Sequence, residues 1–202
     1  TSGLHSTGCF PSSSPCFYIS ISKRINNGND SYGIGMNIAL IGFRGAGKTT
    51  VCKLLASELD KNLISMDEEF LKTTKLNTEK FIKRNGLDKF LELETAIIER
   101  ISNFDDCVFD TTHSIVMRNE NIINLKRNSL IIFLTSDQKT LISRIKSKPN
   151  FAKEISIDDV KRALQSYESR YKNAADYTID TSRLSPQEVC NLIAHFIQME
   201  LQ

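Results

Sequence analysis

From Met36 onward, short apolar runs alternate with stretches in which apolar residues return every three or four positions. The runs at 37–41, 62–66, 107–110, 129–134 and 177–180 are four to six residues of mostly apolar or β-branched character, the signature of buried strands. Helical spacing follows at Val51, Leu54, Leu55 and Leu59, then at Leu87, Phe90, Leu91, Ile97, Ile98 and Ile101. It returns at Leu141, Ile142 and Ile145, and at Val160, Ala163, Leu164, Tyr167 and Tyr171. The final helix opens with Ser185-Pro186-Gln187-Glu188, a capping box with proline at the first helical position, and would bury Val189, Leu192, Ile193 and Phe196. Strands alternating with helices through short connections predict a parallel sheet covered on both faces. The expected architecture is one three-layer α/β domain over residues 36–202, without internal repeats.

The junction of the first strand and first helix carries the chemistry. Gly42-Phe43-Arg44-Gly45-Ala46-Gly47-Lys48-Thr49-Thr50 fills every fixed position of Gly-x-x-x-x-Gly-Lys-[Ser/Thr]. Glycines at 42, 45 and 47 let backbone N–H groups turn inward around a phosphate, and the following helix presents its positive end to the same anion. Lys48 would reach the β- and γ-phosphates, and Thr49 would offer its hydroxyl to Mg²⁺. The expected nucleotide-binding set is Gly42, Arg44, Gly45, Ala46, Gly47, Lys48, Thr49 and Thr50, with ATP and Mg²⁺ as cofactors.

Composition narrows the classes. The chain has 202 residues and a formal net charge of +2, which gives no bulk electrostatic case for nucleic acid or membrane surfaces. No apolar run approaches the roughly 20 residues needed to span a bilayer. Five cysteines stand at 9, 16, 52, 107 and 190 without a Cys-x-x-Cys pair, and the last three read as buried thiols of a reducing compartment. Residues 1–35 differ from the rest, with eight serines, a single acid (Asp30) and a Gly/Asn-rich end. They read either as an expression-vector or upstream-translation remnant, or as an organellar transit segment, and the lone Arg24 weighs toward the former. Localisation is accordingly expected to be cytoplasmic, or organellar if the segment is a transit sequence.

The body resembles the shikimate kinase family, small P-loop kinases that move the γ-phosphoryl of ATP onto a sugar-like hydroxyl. The resemblance rests on Leu40-Ile41-Gly42-Phe43-x-Gly45-Ala46-Gly47-Lys48-Thr49-Thr50, Ile64-Ser65-Met66-Asp67-Glu68-Glu69 and Phe90-x-x-x-Glu94. It continues through Lys148-Pro149 and Ala175-Asp176-Tyr177-x-Ile179-Asp180-Thr181. It implies the three-layer P-loop nucleoside triphosphate hydrolase/kinase fold, with a five-stranded parallel sheet in order 2-3-1-4-5. It also implies a separate acceptor-binding subregion, and Arg144, Arg183 and Pro186 flanking the adenine. A lid is expected over about 146–157, where Lys148 stands at the family's arginine and would approach the transferring phosphate.

The acceptor half departs from the family. Ser65 replaces the first acid of Asp-x-Asp, leaving Asp67; Leu91 replaces the arginine that grips a carboxylate; the triple glycine after the third strand is absent, with Asp110-Thr111-Thr112-His113-Ser114 in that neighbourhood. Tyr167 falls at the late arginine, with Tyr171 in a family tyrosine's place. Shikimate carries a carboxylate, and arginine forks are the usual way to fix one, so an acceptor other than shikimate is expected. Asp67, placed at the end of the second strand, would receive or orient the acceptor hydroxyl, and Asp110 would replace the acid missing at Ser65 and hold Mg²⁺ through water. The segment from Asp110 to Arg118 also resembles P-loop kinases acting on polynucleotide ends. The expected catalytic set is Lys48, Asp67 and Asp110, and the metal set Thr49 and Asp110. Glu92 and Glu94 read as one exposed and one half-buried helix acid, and Tyr167 with Tyr171 as core packing; His113 is a candidate for touching the acceptor. Three readings stand: a phosphotransferase with an altered small-molecule hydroxyl acceptor, a working shikimate kinase, or a non-catalytic ATP-binding relative. The partner is expected to be a small molecule, with no nucleic acid and no membrane, and the chain a monomer or weak dimer.

Overall fold

The computed structural model of the chain describes residues 19–21, 36–147 and 156–200. The elements run β1 (Ile19–Ile21), β2 (Asn37–Ile41), α1 (Lys48–Glu58), β3 (Asn62–Ser65), α2 (Met66–Thr74), α3 (Thr78–Asn85) and α4 (Leu87–Ile101). They continue with β4 (Cys107–Asp110), a 3₁₀ turn (Ile115–Met117), α5 (Asn119–Leu125), β5 (Ser129–Thr135), α6 (Gln138–Lys146), α7 (Ile157–Ala174), β6 (Tyr177–Asp180) and α8 (Pro186–Glu200).

The strands form one sheet in the order β1-β6-β5-β2-β4-β3. β2 to β6 are mutually parallel, and counted from β2 they have the predicted order 2-3-1-4-5. β1 adds a sixth, antiparallel strand on the outer edge of β6, with Ile19 opposite Ile179. It comes from the segment that sequence reading set apart from the domain, and it covers backbone groups that an edge strand otherwise leaves unpaired.

The alternation along β2 sorts the core into two layers, because successive strand side chains point to opposite faces. Ile38 and Leu40 join Val51, Cys52 and Leu55 of α1 and Val189, Cys190 and Ile193 of α8. Ala39 and Ile41 join Ile97, Ile98 and Ile101 of α4 and Tyr171 of α7 on the other side. Each such buried aliphatic side chain contributes about 1.5–3 kcal/mol, so the layers together hold β2 and the loop that follows it in one place. Asn37 heads β2 and is fully buried. Its Oδ1 accepts from the Cys107 amide at 2.8 Å and its Nδ2 donates to the Phe104 carbonyl, which fixes the start of β4 against β2.

α2, α3 and α4 lie between β3 and β4 in the chain and form the subregion beside the site. Phe70 of α2 joins them, with ring centroids 5.1 Å from Phe81 of α3 and 5.3 Å from Phe90 of α4. The capping box at α8 is present, with the Ser185 amide donating to Glu188 Oε2 at 2.7 Å and the Glu188 amide to Ser185 Oγ at 3.3 Å. Cys52, Cys107 and Cys190 are buried thiols, as expected. Cys9, Cys16 and most of the proposed lid, including Lys148, lie outside the described residues.

Candidate active site

The loop after β2 has the geometry its glycines predict. Gly42, Gly45 and Gly47 have φ of 147°, 87° and 98°. Gly42 is the most constrained, because a Cβ there would stand 2.4 Å from the Leu134 carbonyl oxygen of β5. Gly47 caps α1, so Lys48, Thr49 and Thr50 form the first turn with their N–H groups at the positive end of the helix. Lys48 Nζ donates to the Gly42 carbonyl at 2.8 Å and the Phe43 carbonyl at 3.3 Å, which lays the ammonium across the mouth of the loop. Thr49 and Thr50 are exposed, and Arg44 is half-buried.

Asp110 ends β4 opposite Leu40 of β2 and Ser65 of β3. The next residue, Thr111, donates its hydroxyl to the Leu40 carbonyl at 2.7 Å and locks this strand end to the start of the loop. The Asp110 carboxyl is only 8% exposed, and burial raises its pKa, opposed by a hydrogen bond from Thr49 and the charge of Lys48. The predicted metal pair is thus in contact: the threonine of the loop donates to the strand-end acid. A magnesium ion held mainly by phosphate oxygens and water needs only such a hydroxyl and a nearby acid. No group of three or more His, Cys, Asp or Glu suited to caging a metal occurs among the described residues.

Asp67 is not at a strand end. β3 stops at Ser65, whose hydroxyl caps α2 by accepting from the Glu68 amide at 3.5 Å, and Asp67 lies exposed in the first turn of that helix. Ser65 is a good N-cap, and the helix starts one residue earlier than an extended run through Met66 would allow. Asp67 Oδ1 accepts from the Thr78 hydroxyl at 3.5 Å, and its charge is near enough to raise the pKa of both Asp110 and Glu94.

Glu94 departs further from expectation, being wholly buried. It gathers the segment after β4: the hydroxyls of Thr112 and Ser114 donate to its Oε1, the latter at 2.6 Å, and Asn121 Nδ2 donates to Oε2 at 3.3 Å. Burial raises its pKa against these three hydrogen bonds. Glu92 is exposed, as read from the sequence, and Leu91 packs into the apolar layer with Tyr167. Tyr171 stacks on Phe133 at 5.0 Å and donates its hydroxyl to the His113 carbonyl. The His113 ring meets Phe43 edge-on at 6.1 Å and lies close enough to Arg44 and Lys48 to feel both charges.

The residues assigned to the adenine side gather around the end of β6. Arg144 donates to Thr181 Oγ1 at 3.0 Å and to its carbonyl at 2.8 Å, and Thr181 Oγ1 lies 3.3 Å from the Ala46 carbonyl. Thr181, which the sequence offers as the end of a family motif and not as a site residue, ties α6 and β6 to the phosphate loop. Arg183 is exposed two residues on, and Pro186 begins α8. Arg118 lines a surface pocket with Arg170 of α7, beside the turn that carries Ser114.

A glycine loop at the end of a central parallel strand, a lysine across its mouth and a threonine bonded to a strand-end acid define a P-loop phosphotransferase. A family model for shikimate kinase matches residues 44–198. The shikimate kinase of Caldicellulosiruptor bescii is 35% identical over 154 residues, covering 75% of this chain and 89% of that protein. That of Dehalococcoides mccartyi is 36% identical over 160 residues, covering 78% and 90%. The fold matches the structure of Acinetobacter baumannii shikimate kinase in complex with shikimate, with a TM-score of 0.75 at 24% identity over 81% of this chain and 93% of that one. The chain belongs to the shikimate kinase family and is a kinase. No described helix is long and apolar enough to cross a membrane.

Proposed function

We propose that this kinase uses ATP and Mg²⁺ to phosphorylate a hydroxyl of a small molecule other than shikimate. The observation that carries this is the fate of the two positions where the family places arginine: Leu91 and Tyr167 are apolar or aromatic, half-buried, and pack against the core layer. At Leu91 a carboxylate would lose its hydration without a donor from that position, at about 2–5 kcal/mol; at Tyr167 the nearby guanidinium is that of Arg170, 5.9 Å from the ring centroid. Lys48 and the N–H groups of residues 45–49 would bind the triphosphate. Thr49 and Asp110 would hold the magnesium ion, which supplies charge neutralisation at the phosphates. Arg144, Arg183 and Pro186 would flank the base, and Lys148 would come from the lid. Asp67, at the near end of α2, would orient the acceptor hydroxyl and take its proton as the phosphoryl group leaves ADP. The Thr49–Asp110 pair argues against a non-catalytic ATP-binding role, because simple nucleotide binding has less need of it.

Phosphorylation of shikimate itself is favoured by one specific observation, the name carried by relatives 35–36% identical to the chain. A coupled ADP-release assay against a panel of hydroxyl compounds, with shikimate included, separates the two. Turnover of a neutral or differently charged acceptor with shikimate inert supports the altered acceptor. Efficient turnover of shikimate refutes it.

A further inference from the structure

We propose that His113 is a ligand of the phosphoryl group in flight, its ring N–H donating to an oxygen of the γ-phosphate. The inference rests on the kinase reading above and adds a residue to it. Three observations on the page carry it. First, the backbone on both sides of His113 is fixed. Its own carbonyl accepts from Tyr171, Thr111 is bonded to Leu40, and Thr112 and Ser114 are both held by Glu94. A side chain on so rigid a turn is presented in one direction, which is what precise contact with a reacting group requires.

Second, that direction is toward the phosphate loop. The ring lies edge-on to Phe43, and the charges that act on it are those of Arg44 and Lys48. The loop that carries Phe43, Arg44 and Lys48 is where the terminal phosphate of a bound triphosphate belongs. The expectation that His113 touches the acceptor therefore gives way to a contact with the group being transferred.

Third, the imidazole is in the right state for this contact. Burial, Arg44 and Lys48 together lower its pKa to about 4, so at neutral pH the ring is uncharged and carries one N–H donor. A neutral donor aimed at the equatorial oxygens adds to the stabilisation given by Lys48 without adding a third cation to an already positive mouth. Glycine, which the family pattern has in this segment, has no side chain to do this. In this chain a side chain from the turn after β4 reaches the place.

The chain has three histidines, so ring-¹⁵N NMR of histidine-labelled full-length protein can follow each, with His113→Gln used for assignment. Mg-ADP is added first, then in a separate sample Mg with a non-hydrolysable ATP analogue. The His113 ring nitrogens are expected to shift with the triphosphate and to stay near their ADP-bound positions with the diphosphate. In parallel, calorimetry gives the affinity ratio of the analogue over ADP. His113→Ala should lower that ratio about tenfold, as for loss of a hydrogen bond to a charged group. His113→Gln, which keeps an N–H donor, should restore most of it, whereas a purely structural role for the ring predicts equal losses for both nucleotides. Identical His113 signals with ADP and the analogue, or an Ala variant whose ratio stays within about twofold of wild type, overturn the inference while leaving the kinase reading intact. If the wild-type chain binds neither nucleotide, both fall together.

Discussion

Glu94 offers the most quantitative test, because a single fully buried carboxylate organises three donors around the segment that carries His113. Glu94→Ala removes the acceptor of the Thr112 and Ser114 hydroxyls and one of the two acceptors of Asn121 Nδ2, which keeps the Ile115 carbonyl at 3.1 Å, and opens a small cavity. At about 1 kcal/mol for each lost bond plus a cavity contribution, the loss is about 3–5 kcal/mol. The two hydroxyls already lie 3.1 Å apart and can bond to each other, which favours the lower end. Against a total stability of about 5–15 kcal/mol that is a large fraction. Glu94→Gln should be much milder. Both hydroxyls donate to the same oxygen, which the amide carbonyl can replace, and only the contact with Asn121 then sets donor against donor, at about 1 kcal/mol.

The pH dependence has a definite sign. Burial raises the folded-state pKa of Glu94 above its usual 4.5. The folded chain therefore binds more protons than the unfolded chain as pH rises from that value through the raised one, and wild type loses stability across this window. The Gln variant has no such slope, so its deficit relative to wild type should be smaller at about pH 8 than at about pH 5. Urea unfolding followed by far-ultraviolet circular dichroism is the assay, since the chain has no tryptophan. An Ala variant within about 0.5 kcal/mol of wild type, or a Gln variant as unstable as Ala, would refute the reasoning.

Asp67→Asn should lower turnover by about 100-fold or more while Mg-ATP affinity, read by calorimetry, stays within about twofold; unchanged turnover would remove Asp67 from the site. Asp110→Asn should raise the Mg²⁺ concentration needed for half-maximal activity about tenfold, because it removes the acid that orients Thr49, and a magnesium titration of the initial rate checks this. Gly42→Ala should lower the melting temperature by roughly several degrees and weaken nucleotide binding, since its Cβ would meet a backbone oxygen of β5 that cannot yield. A melting curve that overlays wild type would show that the loop relaxes in a way the geometry does not allow.

Much of this molecule was legible in one dimension. The strands at 37–41, 107–110 and 177–180 match β2, β4 and β6 to the residue, and the capping box at Ser185 and the glycine loop are local codes. Such features declare themselves because a strand, a cap or a tight turn is decided by residues within a few positions of one another. α2, α3 and α5 were not foreseen. α3 spans only 8 residues and offers just Phe81 and Ile82, both half-buried, too few to set a helical period. α2 has only Met66 and Phe70 inside, and α5 spans only 7 residues. Asp67 consequently moved from a strand end to a helix turn.

The remaining decisions belong to tertiary structure. Nothing near Glu94 in the chain says that it is wholly buried. Its partners are 18, 20 and 27 positions away, and only the packing of α4 against the segment after β4 brings them to it. The same is true of Thr49 with Asp110, of Arg144 with Thr181, and of the His113 ring against Phe43. Local sequence can specify which groups exist and which backbone they sit on. Which of them share a water-poor volume, and so acquire new partners and shifted proton affinities, is settled when the two apolar layers close on the sheet.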